Sequence, residues 1–110
     1  MKRKQLEDVL KRIYEITDTE IACIFKIYSS GEATISSLAK SLKKDFSHIS
    51  RCLKKLFSLG LITRESKCCS HGKKGRYWVY KPLPKSKFKK VLRERTNKIH
   101  KEILKSIRRL

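Results

Sequence analysis

The sequence predicts an α+β domain that is mainly helical, with helices on both sides of one β-hairpin and a long helix at the C-terminal end. Three observations lead there. Apolar residues recur at helical spacing through the first 59 residues. After Gly60 the pattern becomes short, β-branched and aromatic, and polar residues with two glycines, Gly72 and Gly75, interrupt it. Beyond Pro82-Leu83-Pro84, which cannot continue a strand, helical spacing returns and holds to the last residue.

Leu6, Val9, Leu10 and Ile13 place a first helix over about residues 4–14. Thr17-Asp18-Thr19-Glu20 is a capping box in which the Thr17 hydroxyl reaches the Glu20 amide. It opens a second helix, about 18–29, with Ile21, Ile24, Phe25 and Tyr28 along one face and Gly31 after its end. Residues 33–35 read as a brief strand or an extended entry. Ser36 or Ser37 then caps a third helix through Leu42, with Leu38, Ala39 and Leu42 facing inward. Residues 43–46 are a turn. A fourth helix covers about 47–59, with Ile49, Leu53, Leu56 and Phe57 as its apolar stripe and Gly60 closing it.

Residues 61–67 and 76–81 are the hairpin strands, and residues 68–75 are its polar, basic connection. On the second strand, Trp78 shares a face with Tyr80, and Tyr77 with Val79. One of these faces must meet the core, so Trp78 is expected to be structural, with base stacking as the alternative. In the last helix, about 85–110, Phe88, Leu92, Ile99, Ile103, Ile107 and Leu110 recur in steps of three, four or seven.

Two helices joined by a short turn and followed by a basic hairpin define a winged helix-turn-helix. In that geometry the second helix of the pair enters the major groove of DNA, the groove whose width admits a helix. Charge agrees with a polyanionic partner. The chain has 29 Lys and Arg against 10 Asp and Glu, a net of +19. From Lys67 onward there are 16 basic and 2 acidic residues. Such a field draws in DNA, RNA and acidic membranes alike, so it does not separate these partners.

Residues 34–65 carry Ser37-Leu38-Ala39, then Ser50-Arg51, Leu53, Leu56 and Gly60-Leu61-Ile62. With these residues the segment resembles the DNA-binding unit of the MarR and TrmB families of transcription regulators. Residues 75–84 (GRYWVYKPLP) are similar to the wing strand of archaeal TrmB-like proteins. The resemblance covers about 17–84 and implies a DNA-binding core there, within one domain spanning 1–110. Larger TrmB proteins carry a sugar-sensing domain, for which this chain has no length.

Ser47, His48, Ser50, Arg51, Lys54 and Lys55 lie off the apolar stripe of the fourth helix. Arg51 or His48 is expected to touch base edges, and Lys54 and Lys55 phosphate. The alternative is a solvated polar face. Lys73, Lys74 and Arg76 would carry the wing's charge onto the DNA backbone or minor groove, or serve solubility alone.

The last helix needs a cover for its apolar stripe. A dimer seam, a membrane-surface helix and a calmodulin-type target share this pattern. MarR-like proteins pair through terminal helices, so the resemblance implies a homodimer. The seam would be built from Leu6, Leu10, Ile13, Leu92, Ile99, Ile103 and Ile107.

Cys23 and Cys52 sit beside apolar stripes and read as packing residues. Cys68-Cys69-Ser70-His71 has zinc-ligand and redox residue types, but adjacent cysteines do not easily bind one ion, and no second Cys/His pair is near. No metal, cofactor or catalytic set is therefore expected. The expected partners are double-stranded DNA and a second copy of the chain, with no membrane. The longest apolar run is only residues 21–25, and no apolar segment follows the basic start, so the expected location is the cytoplasm, on the nucleoid. The alternative function is nonspecific, chromatin-like DNA binding or RNA binding.

Overall fold

The computed structural model describes residues 3–68 and 76–110. Its elements are α1 (Arg3–Ile13), α2 (Asp18–Ser30), α3 (Ile35–Leu42), α4 (Phe46–Ser58), β1 (Ile62–Cys68), β2 (Arg76–Pro82) and α5 (Lys85–Arg108). They divide into two compact units: Thr17–Leu83, and α1 with α5.

In the unit Thr17–Leu83, each helix boundary has a local cause. The capping box at Thr17 forms as predicted: the Glu20 N–H donates to the Thr17 hydroxyl at 3.3 Å, and the Thr17 N–H donates to Glu20 Oε1 at 2.8 Å. Gly31 ends α2 at φ 84°, a left-handed conformation that glycine adopts without steric cost. The cap of α3 differs from expectation. Thr34, not Ser36 or Ser37, is the N-cap, and Ser37 is its reciprocal partner three residues on. Serine here fills the place that Glu or Gln usually takes in the box. The turn into α4 is tight. Lys43 leaves α3 in the left-handed region at φ 55°, and Asp45 is already the N-cap of α4.

Leu38, Ile49, Leu53, Leu56, Leu61 and Ile62 join Ile21, Cys23, Ile24 and Ile27 in the core. Cys52 is buried as well, whereas Phe57, which spacing placed in the stripe, is 37% exposed. Each step of four residues advances about 40° beyond a full turn, so Phe57 has drifted off the buried stripe that Leu53 occupies.

β1 and β2 pair antiparallel from Ile62↔Pro82 to Cys68↔Arg76. The free edge of β2 is fastened at its base: the Ala33 N–H donates to the Tyr80 carbonyl at 2.9 Å, and the Tyr80 N–H to the Ala33 carbonyl at 2.8 Å. The segment before α3 thus makes one bridge beyond the two strands. Burial along β2 falls off from this base outward. Val79 and Tyr80, on opposite faces, are both buried at the base, while Tyr77 and Trp78 are both 42% exposed farther out. The expectation that one face alone would be core is corrected in this way. Distance from the base, not strand face, sets burial here.

Tyr28 ties α2 to both ends of the hairpin. Its hydroxyl donates to the Leu61 carbonyl at 2.8 Å and accepts the Leu83 N–H at 3.2 Å. Leu61 and Leu83 are buried, so Tyr28→Phe strands two backbone groups. A loss of about 1–3 kcal/mol is expected in urea unfolding. A midpoint equal to that of the parent chain would show that water replaces the hydroxyl.

In the unit of α1 and α5, Leu10, Tyr14, Ile16 and Phe88 are buried. The Arg95 guanidinium lies over the Tyr14 ring at 5.3 Å from its centroid. Burial raises the Tyr14 hydroxyl pKa, and Arg95 partly offsets this. Among the described residues, no helix is long and apolar enough to cross a membrane.

Candidate nucleic-acid interface

The amphipathic pattern of α4 turns its buried residues Ile49, Cys52, Leu53 and Leu56 toward the core and leaves a polar side outward. Ser47, Arg51, Lys54 and Lys55 are exposed, and His48 and Ser50 are half-buried. The fold therefore brings together on one helix all six residues assigned from sequence. Their surroundings differ. His48, Arg51, Cys52 and Lys55 line one shallow cleft with Thr17 and Glu20.

Glu20 is the residue that periodicity missed. Its side chain is only 5% exposed, and its Oε1 accepts from Lys55 Nζ at 3.2 Å while also closing the cap of α2. Lys55 is thus held by an internal carboxylate, whereas Lys54 is simply exposed.

Phe46 opens α4, one residue earlier than expected, and is 58% exposed. It lines a cleft with Thr34, Ile35, Ser36, Tyr77 and Trp78. At the other end of α4, the Arg64 guanidinium lies 4.1 Å from the Phe57 ring centroid and 4.0 Å from that of Trp78. Two rings on one cation join the last turn of the helix to the wing strand. Trp78 is thus held by this stack and not by burial in the core, where strand alternation had placed one of the two faces. Lys81 Nζ meets Glu65 Oε2 at 2.6 Å on the wing stem and lowers the pKa of the Glu65 carboxyl.

Lys73 and Lys74 lie outside the described residues, as do Cys69 and His71. The backbone of Arg76 is described and pairs with Cys68. Of the residues expected in a dimer seam, Leu10 is fully buried within the single chain, and Leu6, Ile13, Leu92 and Ile99 are half-buried. Ile103 and Ile107 are 54% and 56% exposed.

Cys23 and Cys52 are buried free thiols, and Cys68 is a free exposed one. Burial, then the neighbouring Cys52 and Glu20, push the Cys23 pKa from 9.0 to about 12. Burial and Glu20 also raise that of Cys52. A thiol that keeps its proton in the fold but loses it when unfolded stabilises the fold below pH 9, and that stability is lost as pH rises toward 12. Melting temperature should therefore fall above pH 9, less steeply in Cys23→Ala. Iodoacetamide at pH 8 should modify Cys68 and leave Cys23 intact by mass spectrometry. Rapid modification of Cys23 would contradict its placement in the core.

Residues 16–67 match the model of the MarR family. That segment, from α2 through most of β1, is 52 of the 110 residues and carries the likeness to the family. It is 24% identical over 88 residues to an uncharacterized protein of Methanocaldococcus jannaschii, an alignment spanning 80% of this chain but only 65% of that relative's length. Among solved structures, a possible transcriptional regulator from Methanosarcina mazei superposes with TM-score 0.79 at 21% identity, covering 94% of this chain and 87% of that one. TrmBL2, an archaeal chromatin protein, superposes with TM-score 0.71 at 15% identity over 98% of this chain and 38% of its own. The chain shares its fold with both.

Proposed function

We propose that the protein is a sequence-specific double-stranded DNA-binding transcription regulator that acts as a homodimer in the cytoplasm, on the nucleoid. The observation that carries this reading is the outward polar side of α4, with Ser47, His48, Ser50, Arg51 and Lys54, in a helix-turn-helix braced by a basic wing. Residues near the start of such a helix reach base edges in the major groove. Lys73, Lys74 and Arg76 would meet backbone or minor groove beside it, and Lys54 phosphate. A two-fold dimer would set two such helices on half-sites, and the exposed Ile103 and Ile107 support a seam on α5.

The net charge of +19 favours a second reading, nonspecific coating of DNA or RNA. TrmBL2, which shares the fold, is a chromatin protein. Binding at physiological salt with excess random competitor separates the two. A specific regulator holds a selected duplex at least about a thousandfold more tightly than random DNA. Equal affinities would leave the coating function in its place.

A further inference from the structure

We infer that Phe46 reads the C5-methyl group of a thymine in the major groove, which makes it a specificity-determining residue. The inference rests on the DNA-binding reading above. Phe46 is the first residue of α4, directly ahead of Ser47 and His48, at the end of the helix that reaches bases in this fold. Its ring is 58% exposed, more than Phe57, Tyr77 or Trp78 in the same unit. An aromatic ring left this far in water gains free energy on meeting an apolar surface. Ile35, Tyr77 and Trp78 line the same cleft of about 420 Å³, so the apolar surface continues beyond the ring.

The chemistry of the ring selects its target. Phenyl offers no hydrogen-bond donor or acceptor, so it cannot answer the polar edges of guanine, adenine or cytosine. In the major groove the apolar group on a base edge is the thymine methyl, which apolar side chains such as Phe contact. The strong positive charge of the chain brings a DNA strand to this surface whatever its sequence, and Phe46 then discriminates.

The test uses the full chain and a duplex selected from a random pool. Each thymine is replaced singly by deoxyuridine, which removes the methyl and leaves every hydrogen-bonding group in place. For the parent chain, one thymine per half-site should lose about four-fold in affinity, the worth of one buried methyl. In Phe46→Ala that position should become indifferent to the replacement, and Phe46→Leu should retain part of the sensitivity. Replacing the same pair by 5-methylcytosine·guanine should bind better than unmethylated cytosine·guanine for the parent chain only. Far-ultraviolet circular dichroism of the variants should match the parent, because the exposed ring is not part of the core. Parent binding that is indifferent at every thymine, or sensitivity that persists in Phe46→Ala, overturns the inference and leaves sequence-specific binding standing. Selection that yields no preferred duplex overturns both.

Discussion

Aspartate at both Ile103 and Ile107 is expected to convert the proposed dimer into monomers. These residues lie four apart on α5, one turn along the same side, and are 54% and 56% exposed in the single chain. With Ile99, Glu102, Ser106 and Leu110 they border an open apolar cleft of about 340 Å³. Fully burying an isoleucine is worth about 1.5–3 kcal/mol, and roughly half of that is still to be gained at each position. A two-fold seam counts each residue twice, so the lost burial amounts to roughly 3–6 kcal/mol, or about two to four orders of magnitude in the dimer dissociation constant. Buried carboxylates add their desolvation cost. Sedimentation equilibrium reads the result directly, and helix content should be unchanged because both side chains already face water. A double variant that stays dimeric would put the seam elsewhere on the chain.

Arg51→Ala is expected to separate affinity from specificity. Arg51 is exposed in the second turn of α4 and borders the cleft with His48. A guanidinium can bond guanine O6 and N7 together, and losing such a pair costs about 1–3 kcal/mol on the correct site. A dimer would lose this at each half-site. On random duplexes the loss should be small, because phosphate contacts dominate there. Titrations with selected and random DNA at several salt concentrations measure both effects. Equal losses on the two duplexes would show that Arg51 meets only the backbone.

Local signals carried the reading of the fold furthest. The Thr17 to Glu20 box and the αL glycines at 31 and 60 act within one helical turn, and each lies where the residue types place it. The strands were legible because alternation replaces helical spacing after Gly60. What escaped depends on distance in sequence. The Glu20–Lys55 pair joins residues 35 apart, and the Arg64 stack draws on a helix end and a strand that meet only in the folded chain. Phe57 and Phe46 were misread for a different reason. Period alone cannot tell the edge of an apolar stripe from its centre, nor a turn residue from the first residue of a helix.

The pair between Glu20 and Lys55 divides the outer side of α4 into positions of unequal freedom. Exchanging Lys55 for a neutral residue would leave a carboxylate in the core without its cation, so drift at that position is coupled to change at position 20. Ser47, Ser50, Arg51 and Lys54 carry no such tie among the described ion pairs. Substitution at those four positions can therefore change the surface that α4 presents while the scaffold behind it is inherited intact.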